Sequence, residues 1–388
     1  MKYIVILPDG MADLPIEALD NKTPLEYAKT PNMDYMAENG ITGCVNTVPA
    51  GMKPGSDVAN MSILGINPKE VSIGRGALES LAMGVRIDPD KIIFRANFVT
   101  VEDNKMSDYT GGGIKSSEGR KLISLLNKEL KNSGIKFIPG LDYRNIAVLD
   151  KSKLDIKTTP PHDITDKKID KYLPQGNDAS LIRDIMFKTR DILENYKKKK
   201  SSANMMWLWG EGKIDKGFSF KDKYGLKGAV ISAVDIIKGI AGFLDMDIIK
   251  VPGITGDVDT NYKNKAKYAL KGLKKYDFIF VHIEAPDETG HRGDYKEKVK
   301  AIEDIDKYIV GEILKNTDND TVLILLPDHP TPCKVKTHTS DPVPFVVFYK
   351  EKKINKKYKK FTEKICEHPN LYIKNGYNFL SYIVNEVK

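Results

Sequence analysis

The feature that most constrains this chain is a series of short, almost uninterrupted apolar runs separated by amphipathic stretches. Tyr3–Leu7, Met205–Trp209, Phe278–His282, Thr321–Leu326 and Phe345–Phe348 show no polar alternation, as strands covered on both faces must not. Between them lie helix patterns at Val230–Leu244, Tyr262–Leu273 and Tyr295–Leu314. In the first of these, Val230, Val234, Ile237, Ile240, Ala241 and Leu244 fall near a period of 3.6. Alternation of this kind predicts an α/β fold, a mostly parallel sheet with helices on both faces.

The middle of the chain departs from that rhythm. Strand patterns at Ile92–Val101, Lys136–Ile138 and Asn145–Asp150 alternate with helix patterns at Ser116–Leu130 and Asn177–Lys197. The stretch opens near Asp88-Pro89 and closes on the lysine run 197–200 followed by Ser201-Ser202, both plausible crossings between domains. Residues 87–200 are therefore expected to form a smaller inserted α/β (α+β) domain. It interrupts a discontinuous domain made of 1–86 and 201–388.

Composition narrows the class. Of 388 residues 41% are hydrophobic and 29% charged, which excludes disorder and collagen-like repeats. The net charge of +8 comes from 61 basic and 53 acidic residues, and only eight of the bases are arginine. No arginine-rich helix, zinc-finger spacing or aromatic ladder accompanies the lysines, so no nucleic-acid partner is expected. No apolar run approaches the ~20 residues of a membrane span, and Ile4–Leu7 is too short for a leader. A soluble protein with no membrane partner is expected, a monomer or small homo-oligomer. Cys44, Cys333 and Cys366 form neither an even framework nor a C-x-x-C pair, which suits a reducing cytoplasm.

The chemistry-bearing residues gather after the strands. Asp9 follows the first strand; Asp287 and His291 form D-x-x-x-H after Phe278–His282; Asp328 and His329 follow Thr321–Leu326, with His338 nine residues later. In a parallel sheet these loops open at one carboxyl edge, where open α/β sheets bind ligands. Each aspartate alone reads equally well as an N-cap or turn residue. Capping leaves the three histidines without a role, and mixed carboxylate and imidazole donors suit a divalent transition ion better than Ca²⁺. Ser56, in Lys53-Pro54-Gly55-Ser56-Asp57, precedes the helix-like run Val58–Leu64. It is either a simple N-cap or a nucleophile at a helix start that favours phosphate.

Together these motifs resemble the alkaline phosphatase superfamily, and more closely the cofactor-independent phosphoglycerate mutases of the archaeal type with their bacterial relatives. The residues that carry the likeness are Pro8-Asp9-Gly10-Met11, Gly55–Asn60, Ile73–Gly76, Pro161-His162-Asp163, Val281–Asp294 and Pro327–Pro332. The resemblance implies one divalent ion at Asp9, Ser56, Asp328 and His329, and another at Asp287, His291 and His338. Mn²⁺ stands first, with Zn²⁺, Co²⁺ and Mg²⁺ also compatible. It implies an alkaline-phosphatase-like sheet, a Ser56 that becomes phosphorylated, and a phosphoglycerate as the small-molecule substrate. His162 and Asp163 are the expected acid–base pair, and Arg75, Arg144, Lys213 and Asn60 the expected substrate contacts. Asn60 stands where many members carry histidine, and Gly113 where histidine or arginine is usual. The expected activity is interconversion of 3- and 2-phosphoglycerate without 2,3-bisphosphoglycerate. The alternative is another phosphotransferase using the same site, either homoserine kinase-like or a phosphomonoesterase. A G-x-x-x-x-G-K-[ST] loop for ATP is absent from the sequence.

Overall fold

The computed structural model describes residues 1–71, 73–85, 88–214, 219–350 and 357–386. They pack as two compact units, Met1–Val71 with Phe218–Lys388, and Ser72–Gly217. In chain order the strands are β1 (Lys2–Pro8), β2 (Ile41–Val45), β3 (Ile92–Glu102), β4 (Lys105–Asp108), β5 (Ile135–Leu141), β6 (Arg144–Leu149), β7 (Met205–Gly212), β8 (Gly228–Ile231), β9 (Asp247–Ile248), β10 (Phe278–Ile283), β11 (Thr321–Leu325), β12 (Val343–Tyr349) and β13 (Tyr372–Ile373).

The first unit holds an eight-stranded sheet in the order β13-β2-β12-β11-β1-β10-β8-β9. β1 lies at its centre, parallel to β10 on one side (Tyr3 opposite Phe278) and to β11 on the other (Tyr3 opposite Val322). Only β12 runs against its neighbours. Ile4, Ile6, Ile279, Val281, Leu323 and Leu325 share one core with Met33, Ala266, Ile302 and Ile309 from covering helices. Tyr3, Val5, Leu7, Phe280 and Ile324, on the opposite face, are buried as well, and burial on both faces explains the unbroken apolar runs.

The second unit is a five-stranded antiparallel sheet in which β3 pairs with β4, β6 and β7, and β5 with β6. The helices Ser116–Glu129 and Ala179–Asn195 send Leu122, Leu126, Ile182 and Met186 into its core, against Phe94, Phe98, Phe137 and Trp207.

Several expectations change. Met205–Trp209 is a strand, but it extends the antiparallel sheet of the second unit instead of the parallel one. The helix expected from Val230 begins only at Asp235, because Val230 lies in β8. The units divide near 71/72 and 217/218, so the helix Arg75–Ala82 and β7 belong to the second unit although both lie outside residues 87–200. The expected boundary at 86/87 lies outside the described residues. Among the described residues no helix is long and apolar enough to cross a membrane.

The cysteine reading also changes: Cys44 in β2 and Cys366 form a disulfide across 322 residues, leaving Cys333 free and buried. The bond ties a strand near the sheet edge to the C-terminal segment, and the argument for a reducing compartment from cysteine usage falls with it. Replacing Cys44 by Ala is expected to lower the unfolding free energy by about 2–5 kcal/mol. The check is urea denaturation with and without reductant; coincident curves for the two chains without reductant would show that the bond does not form.

Candidate metal centre

Three strands deliver the site. Asp9 follows β1 and its backbone N–H donates to the Ile283 carbonyl of β10 at 2.8 Å. The helix Ala285–Arg292 begins two residues after β10 and carries Asp287 and His291 one turn apart. Asp328, His329 and His338 lie in the connection between β11 and β12. Six of the seven expected ligands therefore lie at the carboxyl edge of the first unit's sheet, and the seventh, Ser56, comes from a separate helix.

One subset is Asp9, Asp328 and His329, whose donor atoms converge and whose side chains are buried. His329 Nε2 stands 3.5 Å from Asp9 Oδ1 and 3.5 Å from Asp328 Oδ2. Ser56 opens the helix Ser56–Ile63, and its Oγ lies 3.3 Å from Asp9 Oδ2 and 3.3 Å from His329 Nε2. The second subset is Asp287, His291 and His338: His291 Nε2 is 3.2 Å from Asp287 Oδ2 and 3.0 Å from His338 Nε2. His338 Nε2 is 3.5 Å from Asp287 Oδ1. His329 also falls within reach of Asp287 and His338, so the two subsets share an imidazole wall.

The donors fit cations. Asp9 Oδ1 is buried with no hydrogen-bond partner. His291 Nδ1 sits 3.0 Å from the Lys336 carbonyl, which fixes the proton there and leaves a lone pair on Nε2. That lone pair faces the Nε2 of His338, an arrangement a divalent ion between carboxylates and imidazoles resolves. Burial, then the charges of Asp328, Asp287 and Glu284, push the Asp9 carboxyl well above its usual range. Burial also acts upward on Asp287, but hydrogen bonds from His338 and Thr331 outweigh it and hold the group at about 2.

Neighbouring residues fix these ligands. Gly10 has φ +61°, and a Cβ there would stand 2.5 Å from Asp287 Oδ1; its N–H donates to Asp328 Oδ1 at 3.0 Å. The Thr331 hydroxyl donates to Asp287 Oδ1, and its carbonyl accepts from the buried Lys298 ammonium at 2.9 Å. Lys298 is paired with Asp13 at 2.8 Å. Asn60, expected at the substrate, is instead buried. Its amide donates to the Ser56 carbonyl and to Asp328 Oδ2, both at 2.8 Å.

The remaining expected residues lie in the second unit. His162 and Asp163 are exposed, with Nε2 3.6 Å from Oδ1. Tyr109 stacks edge-on between His162 and Tyr143, and the Arg144 guanidinium lies 5.8 Å from the Tyr143 ring. Lys213 follows β7 and lines a cavity of about 630 Å³ with Lys153, Asp155, Asp178 and Glu211. Arg75 opens the helix Arg75–Ala82; its side chain lies outside the described residues. Sequence reasoning missed His282, Glu284, Lys265 and Thr331. His282 was visible only as the polar end of an apolar strand.

A family model described as the metalloenzyme superfamily matches residues 1–374. A Methanosarcina barkeri protein named 2,3-bisphosphoglycerate-independent phosphoglycerate mutase is 44% identical over 395 residues, 99% of each chain. A Geobacter sulfurreducens protein named as a probable enzyme of the same kind is 40% identical, covering 99% of this chain and 100% of its own. Among solved structures, a Pyrococcus horikoshii protein superposes with a TM-score of 0.80 at 29% identity, covering 99% of this chain and 96% of that one. The cofactor-independent phosphoglycerate mutase from Thermoplasma acidophilum gives 0.74 at 27% identity, covering 100% of both.

His291→Ala is expected to lower bound Mn²⁺ by one equivalent per chain, measured by elemental analysis after dialysis. Unchanged stoichiometry would remove His291 from the ligand set.

Proposed function

The chain belongs to the cofactor-independent phosphoglycerate mutase family of the metalloenzyme superfamily, and we propose that it interconverts 3- and 2-phosphoglycerate at a two-metal site through phospho-Ser56. The observation that carries this reading is Ser56 Oγ, 3.3 Å from Asp9 and from His329 at the start of a helix. Asp9, Ser56, Asp328 and His329 would hold one ion, and Asp287, His291 and His338 the other. The donor set favours Mn²⁺ and accommodates Zn²⁺, Co²⁺ or Mg²⁺. Bound there, the ions would polarise the phosphoryl oxygens and lower the pKa of the serine hydroxyl.

Within this reading, the chain's own residues have distinct tasks. Asn60 and the helix it sits on hold Ser56, which as the alkoxide bonds to phosphorus through Oγ and is an alkoxide again once the phosphoryl group has left. The ester oxygen of the substrate leaves and takes a proton. The other hydroxyl of the retained glycerate then loses its proton and takes the phosphoryl group from Ser56. Both proton transfers fall to Asp163, with His162 at its side. Arg144, Arg75 and Lys213 supply cationic groups for phosphate and carboxylate. An enzyme of central carbon metabolism of this kind acts in the cytoplasm.

The test is purified protein with Mn²⁺ and 3-phosphoglycerate, 2-phosphoglycerate being read through enolase with no 2,3-bisphosphoglycerate added. Turnover is expected, and Ser56→Ala is expected to reduce it by about 10⁴-fold or more while leaving metal content nearly unchanged. Release of free phosphate, or phosphorylation of homoserine from ATP, in place of 2-phosphoglycerate would overturn the mutase reading. Substantial activity in Ser56→Ala would move the nucleophile elsewhere.

A further inference from the structure

His282 has no part in the reaction as described, yet it is fully buried against the site, one residue before the end of β10. Its Nε2 lies 3.0 Å from Asp9 Oδ2, the oxygen that also faces Ser56. With Asp9 ionised, as a carboxylate must be to bind a metal, it only accepts, so Nε2 carries the proton and Nδ1 is left as an acceptor. Nδ1 faces the Ser232 hydroxyl at 3.4 Å and Glu284 Oε2 at 3.6 Å. From the helix Tyr262–Gly272, Lys265 reaches in, 1% exposed, and donates to the His282 carbonyl at 2.7 Å.

Two observations give this array a purpose. The donor atoms of Asp9, His282 and Glu284 lie within 4.8 Å of one another, a grouping a further ion could use. The Lys265 ammonium already supplies positive charge there, acting electrostatically on Glu284 and on His282. A second cation in the same buried space would meet like-charge repulsion. Meanwhile the bond to Oδ2 fixes the rotation of the Asp9 carboxylate and leaves Oδ1, buried and without a hydrogen bond, beside His329 for a metal.

We propose that His282 is the positioning residue for the Asp9 ligand, and that Lys265, bonded to its main-chain carbonyl, and Ser232, beside its imidazole, hold it there in place of a further cation. The inference rests on the metal reading of Asp9. Partners of this kind orient metal ligands, and their loss typically weakens affinity by about 10–100-fold.

The test uses the full chain stripped of metal, titrated with Mn²⁺ and Co²⁺ as wild type, His282→Leu, His282→Gln and Lys265→Met. Wild type is expected to bind two ions. In His282→Leu one site should weaken about 10–100-fold, with the visible Co²⁺ bands of that site altered. The site of Asp287, His291 and His338 should keep its affinity and so report an intact fold. His282→Gln, whose amide N–H can still donate to Asp9, should recover most of the loss, and Lys265→Met should weaken the same site. Unchanged affinity at both sites in His282→Leu, or three ions in the wild type, overturns the inference while leaving the Asp9 site standing. Loss of both sites in the Leu and Gln variants alike marks a purely structural role and overturns it as well. A wild type that binds no ion at Asp9 overturns the metal reading and this inference with it.

Discussion

Two carboxylates, Asp9 and Asp328, sit at zero solvent exposure at the ends of adjacent parallel strands, and much of the surrounding structure makes that burial tolerable. An unpaired buried carboxylate costs several kcal/mol. Asp328 is supplied with N–H donors from Gly10, His329 and the Asn60 amide. Asp9 receives His282 and the Ser56 hydroxyl on Oδ2, and its Oδ1 is left without a hydrogen bond. The requirement reaches back into backbone conformation: the left-handed turn at Gly10 lets the chain pass beside Asp287 where a side chain would collide.

The same logic recurs one layer out. Lys298 and Asp13 are both fully buried, and the ammonium spends its remaining donors on the Ala12 and Thr331 carbonyls. Thr331 in turn donates to Asp287. A buried pair of this sort is weak evidence for stability but good at fixing one arrangement, since removing either partner strands a charge. Here the arrangement it fixes is that of the Asp287 carboxylate.

Much of this was legible in the chain because burial on both faces leaves a strong signal. The runs at β1, β10 and β11 and the aspartates after them located the site's edge. Strand direction was not legible: Met205–Trp209 is as apolar as the others, yet burial carries no record of which neighbour it pairs with or in what sense. Val230 fits a helical period and a strand equally, since four apolar residues cannot separate the two. β2 was invisible because Gly43 and Cys44 lower its strand character. The structure supplies the reason for the glycine, since the Phe345 ring fills the space a Cβ would take. His282 was only the last residue of an apolar strand, and Asn60 an expected substrate contact with no sign of what holds it. Their actual partners, Asp9 and Asp328, are 273 and 268 positions away.

The reversed strand β12 has a consequence for how such a site can change over time. Because it returns beside β11, the intervening residues 326–342 stay at the ligand edge as a single connection. That one segment carries Asp328, His329, Thr331 and His338, contributing to both halves of the centre. A deletion or a slip in strand register there would shift residues of both subsets in one event, whereas changes in the helix Ser56–Ile63 or the helix Ala285–Arg292 touch one subset at a time. Variation in metal preference among chains of this architecture should therefore concentrate in this loop, where a small alteration of length has the largest chemical reach.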